Sequence, residues 1–141
     1  MRSCKNAFFI RPLFIVCLLA SGTAASVAHA EKNALLILEP KSGATVNSPF
    51  KVRFGVTGKK VRPAGKVVEG TGHLTLLIDH GPVRKGKVVP VDDTHLHYDQ
   101  GETEVEVALP PGKYKLTAQF ADGAQRSYGH MLSHGINIIV K

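Results

Sequence analysis

The chain has 141 residues, a formal net charge of +7, two cysteines and no tryptophan. That length suits a single domain. The basic excess is spread over turns and strand faces, with small clusters at Lys59-Lys60-Val61-Arg62 and Arg84-Lys85-Gly86-Lys87 and no stripe of stacking aromatics, so no nucleic-acid partner is expected.

Residues 1–30 read as an export signal. Arg2, Lys5 and Arg11 make a positive start, residues 13–20 an apolar run, and Ala28-His29-Ala30 a small-x-small cleavage site. The apolar run is too short to span a bilayer, and no other segment approaches the ~20 apolar residues a spanning helix needs. No transmembrane segment is therefore expected after cleavage, and the mature product, residues 31–141, is expected in the periplasm or secreted. Cys17 follows Val16 inside the apolar run, which argues against a lipid anchor, and both Cys4 and Cys17 leave with the signal. The mature chain must fold in an oxidising compartment without a disulfide, and its length allows a self-sufficient core.

In chain order, strands are expected at 34–38, 50–56, 73–79, 87–91, 103–109, 114–120 and 136–140, with Gly, Pro, Asn and Asp between them. The clearest is 50–56, where Phe50, Val52, Phe54 and Val56 alternate with Lys51, Arg53 and Gly55. Segment 58–72 is expected to be a long structureless loop of the kind that is usually functional or mobile. The runs 103–109 and 114–120 flank Pro110-Pro111-Gly112 and are expected to pair as a hairpin, with a Glu row set against Lys. About seven short strands separated by turn signals specify an all-β fold, an immunoglobulin-like β-sandwich. The disulfide and tryptophan of antibody domains are absent.

The chemistry-bearing residues are mostly histidines. His95 and His97, two apart, project from one face of an extended segment with Cα atoms ~6–7 Å apart, close enough for two imidazoles to share an ion. His73 opens a strand that ends at Asp79 and His80, which supplies further candidate ligands. Imidazole donors without a thiolate suit zinc, copper or nickel. The plainer reading is that these histidines only close local hydrogen bonds. His130 and His134 lie four apart, but Gly129 and Gly135 disfavour a helix there. The spacing His95-x-His97 followed by Glu102 imitates a cupin motif, yet Val89 and Leu109 stand where glycines are required. Catalysis is not expected. The mature chain has no cysteine and no Gly-x-Ser-x-Gly elbow, and Asp92-Asp93 reads as a turn rather than a converging carboxylate pair.

The stretches PKSGATVNSP, GHLTLLID, HLHYDQGETE, PGKYKL and INIIV, taken together, resemble the bacterial exported proteins grouped as domain of unknown function 4399. Members show P-x-x-G-x-x-V-x-S-P, G-H-H-H-L-L-I-D, H-x-H-F-x-x-G-Q-T-E, P-G-x-H/Y-x-L and a closing I-x-V strand. The resemblance implies a fold, a compartment and a His-rich site whose matching positions are His73, Asp79, His95, His97 and Glu102. Leu74 and Thr75 replace the second and third histidine of the triple, and Glu102 replaces the glutamine. The expectation is an exported, non-catalytic binding module for a divalent transition metal such as copper or zinc, held by His73, His95, His97, Asp79 and His80. The alternative is an envelope structural or interaction domain that contacts protein or glycan and uses its histidines structurally.

Overall fold

The computed structural model describes residues 32–141, so the expected signal lies outside the described residues. These contain nine strands: β1 (Ala34–Glu39), β2 (Thr45–Val46), β3 (Phe50–Thr57), β4 (Lys60–Val61), β5 (Thr71–Ile78), β6 (His95–Tyr98), β7 (Glu104–Val107), β8 (Gly112–Ala121) and β9 (Ser133–Val140). A 3-10 turn, His130–Leu132, precedes β9. Among the described residues no helix is long and apolar enough to cross a membrane.

Alternation dictates the architecture. In β3 the side chains of Phe50, Val52 and Phe54 are buried while Lys51 and Arg53 are exposed. This strand lies between β1 and β7 in a three-stranded antiparallel sheet. The second sheet runs β2-β9-β8-β5-β4, with β6 also paired to β5. Leu35, Ile37, Val52, Phe54, Val105 and Val107 of the first sheet meet Leu74, Leu76, Leu116, Phe120, Ile136 and Ile138 of the second. Each large side chain so buried contributes about 1.5–3 kcal/mol, and the result is the expected β-sandwich.

Two expectations fail for physical reasons. The hairpin across Pro110-Pro111-Gly112 does not form: β7 pairs with β3, and β8 pairs with β5 and β9. The two prolines offer no N–H to a ladder, and the chain crosses there from one sheet to the other, so the two apolar faces meet across the core instead of lying side by side. The Glu row finds its basic partner on β3, where Lys51 Nζ stands 3.0 Å from Glu104. Segment 87–91 is not a strand. Val88 makes an isolated bridge to Arg126, Val89 is fully buried, and its N–H donates to Gln125 O at 2.8 Å.

Segment 58–72 is also more ordered than expected. Strand β4 runs parallel to the start of β5, with Arg62 N–H donating to Gly72 O at 2.8 Å. The backbone N–H groups of Ala64 and Gly65 donate to Asp99 O and Gly123 O, both at 2.9 Å.

Strand β5 is buried on both faces, which explains its lack of alternation. Leu74, Leu76 and Ile78 enter the core. By strand parity His73, Thr75 and Leu77 take the opposite face, where the chain after β5 and the chain between β8 and β9 form a cover. Gln119 anchors this layer: its Oε1 accepts Val83 N–H at 3.1 Å, and its Nε2 donates to Gly129 O at 3.1 Å and Leu132 O at 3.2 Å. Ser127 ties the two covering segments together by donating to Val83 O at 2.8 Å.

Candidate metal centre

The cluster follows from the register of β5 and β6. Thr75 lies opposite His97 and Leu77 opposite His95, so the next step of the same parity brings Asp99 beside His73. His73 is fully buried, while His97 and Asp99 are half-buried. The His73 and His97 rings have centroids 6.3 Å apart, and Asp99 Oδ1 is 3.5 Å from His73 Nε2. Ligand atoms from the three residues all lie within 4.8 Å of one another, which makes them a candidate group for one ion.

Gln125 occupies the centre of the group. Its Oε1 is 2.8 Å from His73 Nε2 and 2.7 Å from His97 Nδ1, and its Nε2 donates to Asp99 Oδ1 at 3.0 Å. The residue sits at φ 65, a left-handed conformation unusual for a long side chain. Asp122 holds that turn, its Oδ1 accepting the N–H groups of Ala124 and Arg126, both at 2.9 Å. Strain of this kind, of order 1–3 kcal/mol, persists only where surroundings enforce it.

Pro90 O accepts from His97 Nε2 at 2.6 Å. Both nitrogens of His97 therefore face acceptors, and the ring donates at both ends only when it carries two N–H groups. An ion at Nδ1 would replace one of them and keep the Nε2–H bond to Pro90, the outer contact that commonly orients a ligating imidazole. Nδ1 of His73 is buried and has no hydrogen-bond partner among the described residues.

Of the residues singled out from the sequence, the structure brings His73 and His97 together and leaves the others outside the group. His95 donates through Nδ1 to Asp92 Oδ1 at 2.8 Å and stacks on His80 with centroids 4.7 Å apart. That bond, with two more from Thr94, holds the Asp92 carboxyl well below the usual carboxylate range. His80 is exposed, and its carbonyl accepts the Thr117 hydroxyl at 2.7 Å. Asp79, at φ 60, accepts Lys115 N–H at 2.9 Å. Glu102 accepts Gln100 N–H at 3.0 Å. Nδ1 of His134 accepts Ile37 N–H at 3.1 Å.

Asp99 and Gln125 were missed. Asp99 had a signal, because His95, His97 and Asp99 are spaced two apart and share one strand parity. Gln125 had none, since it arrives from a turn between β8 and β9. Of the two residues that follow His73, Leu74 faces the core, and Thr75 lies on the cluster's side and donates to Gln119 O at 3.1 Å.

The fold and cluster thus define an all-β sandwich with a His/His/Asp group under the cover of one sheet. The model of the family described as "Domain of unknown function (DUF4399)" matches residues 52–141, and the chain belongs to that family. No curated protein matches the sequence. Among solved structures the chain is similar to the X-ray structure of the endo-beta-1,4-mannanase from Thermotoga petrophila, at 12% identity and a TM-score of 0.47. That match covers 84% of this chain and 21% of the mannanase chain.

Proposed function

We propose that the protein is an exported, non-catalytic binding module that holds one divalent transition-metal ion between His73, His97 and Asp99. The observation that carries this reading is the approach of His73 Nε2 and His97 Nδ1 to one point, 2.8 and 2.7 Å from the oxygen now there, with a carboxylate alongside. Two imidazoles, a carboxylate and no thiolate favour Zn(II), Cu(II) or Ni(II). Export to the periplasm or outside the cell is supported by the composition of residues 1–30. The non-catalytic reading is supported by the neighbouring hydroxyls: Ser127 donates to Val83 O and Thr75 to Gln119 O, so both are committed to structure.

A second reading, an envelope interaction domain that contacts protein or glycan and uses its histidines structurally, draws support from the Gln125 amide. Its oxygen meets His73 Nε2 and His97 Nδ1 at 2.8 and 2.7 Å and its nitrogen donates to Asp99 Oδ1 at 3.0 Å, so the three side chains are hydrogen-bonded with no ion between them.

Calorimetry on the purified protein, stripped with chelator and titrated with Zn(II), Cu(II) and Ni(II), separates the two. Saturable one-to-one binding, lost in His97→Ala and Asp99→Ala but kept in His95→Ala, is the expected result. Weak binding of equal strength in wild type and His97→Ala would overturn the metal reading and turn attention to envelope partners.

A further inference from the structure

The geometry points to a built-in stopper: we propose that the Gln125 side chain competes with the metal ion for its position and must swing out for the site to load. This rests on the metal reading above and concerns how that site is regulated.

Ligating nitrogens stand about 2.0–2.1 Å from a bound zinc ion. Gln125 Oε1 lies 2.8 and 2.7 Å from the two nitrogens that would bind it, on the side where both can donate. An ion bound along the directions in which these nitrogens now donate would lie closer to Oε1 than the ~2.0–2.2 Å of a metal–oxygen bond, so oxygen and ion exclude each other there. The amide also ties up the third ligand through its 3.0 Å bond to Asp99 Oδ1. One side chain therefore occupies all three prospective donors, and it does so from a backbone conformation, φ 65, that favours glycine.

Displacement of the stopper has a route into the cover. Gln125 O accepts Val89 N–H at 2.8 Å, and the neighbouring Arg126 bridges Val88. Pro90, whose carbonyl holds His97, follows directly on this segment. The turn and the segment carrying an outer contact of the site are thus mechanically joined, and loading one disturbs the other.

The test compares wild type with Gln125→Gly, a variant that removes the stopper and suits the left-handed backbone; Gln125→Ala serves as a second variant, with circular dichroism to confirm the fold of each. Zn(II) is the probe, followed by calorimetry and stopped-flow mixing. The expected result is affinity about tenfold tighter in both variants, the size of one net hydrogen bond removed from the competing state. The wild-type loading rate should level off with zinc concentration as swinging-out becomes limiting, while the variants' rates rise linearly. Weaker binding in the variants would make Gln125 a ligand and overturn the stopper, as would unchanged affinity and rate. Absence of saturable binding in wild type and both variants would overturn the metal reading itself, an outcome distinct from the other two.

Discussion

The backbone N–H of Ile37 donates to Nδ1 of His134 at 3.1 Å, although β1 and β9 belong to different sheets. The bond lies where the β1–β3 register shifts, between Ile37 and Glu39, so a backbone donor that leaves its own ladder finds an acceptor across the sandwich. Ile37 is buried, and its N–H would otherwise be desolvated without a partner. His134→Ala should cost about 1–3 kcal/mol in urea unfolding and leave metal affinity unchanged. A loss below about 0.5 kcal/mol would mean that water replaces the ring at little cost.

Gln119 is a second polar residue whose role is structural. It is fully buried, and its amide bonds Val83 N–H, Gly129 O and Leu132 O, joining both covering segments to β8. Gln119→Leu keeps the bulk and orphans these groups, so a loss of about 3 kcal/mol is expected. The Val83 amide should also exchange with solvent well before global unfolding. Full protection of that amide in the variant would show that the cover holds without its anchor.

Gly72 carries a packing requirement. Its backbone lies so close to β8 that a Cβ would run into the Ala121 carbonyl and come within 2.7 Å of the Phe120 ring. Gly72→Ala should destabilise by about 1–3 kcal/mol through overpacking. Gly81→Ala is the control, because nothing lies within 4 Å of its Cβ position, and it should change stability by less than about 0.5 kcal/mol. Equal effects of the two would remove close approach as the reason for glycine at position 72.

Much of the sandwich was legible because β3, β7 and β8 alternate in hydrophobicity, a local property. Partner choice was not, because it depends on which faces meet across the core: β7 chose β3 over its sequence neighbour β8. Segment 87–91 reads as strand by composition, yet it lies over a face that carries the buried polar residues His73, Thr75 and Gln119. The two motifs that contain His73 and His97 pointed to half of the cluster, and parity could have added Asp99. Gln125 lay beyond such reasoning, since a turn residue's reach is set by tertiary placement rather than by any repeat.

Tyr98 gives the fold an alkaline limit. It lies opposite Leu74 on β6 and packs against Phe54, with ring centroids 6.1 Å apart. Burial, with a smaller contribution from Glu102, pushes its phenol up to about 12. An unfolded chain releases this proton near pH 10, so the folded state binds it more tightly and the phenolate form opposes folding. The stability contributed by the neutral phenol is therefore fully present below pH 10 and is lost as pH rises through about 12. Tyr128 is raised in the same direction, by burial first and then by Asp122 and Glu69, so the slope must be apportioned by difference. The urea midpoint of wild type should fall between pH 10 and 12, and Tyr98→Phe should remove part of that fall while keeping the Phe54 contact. If the variant loses as much stability over that interval as wild type, the alkaline limit lies with other groups, and Tyr128→Phe would be the next comparison.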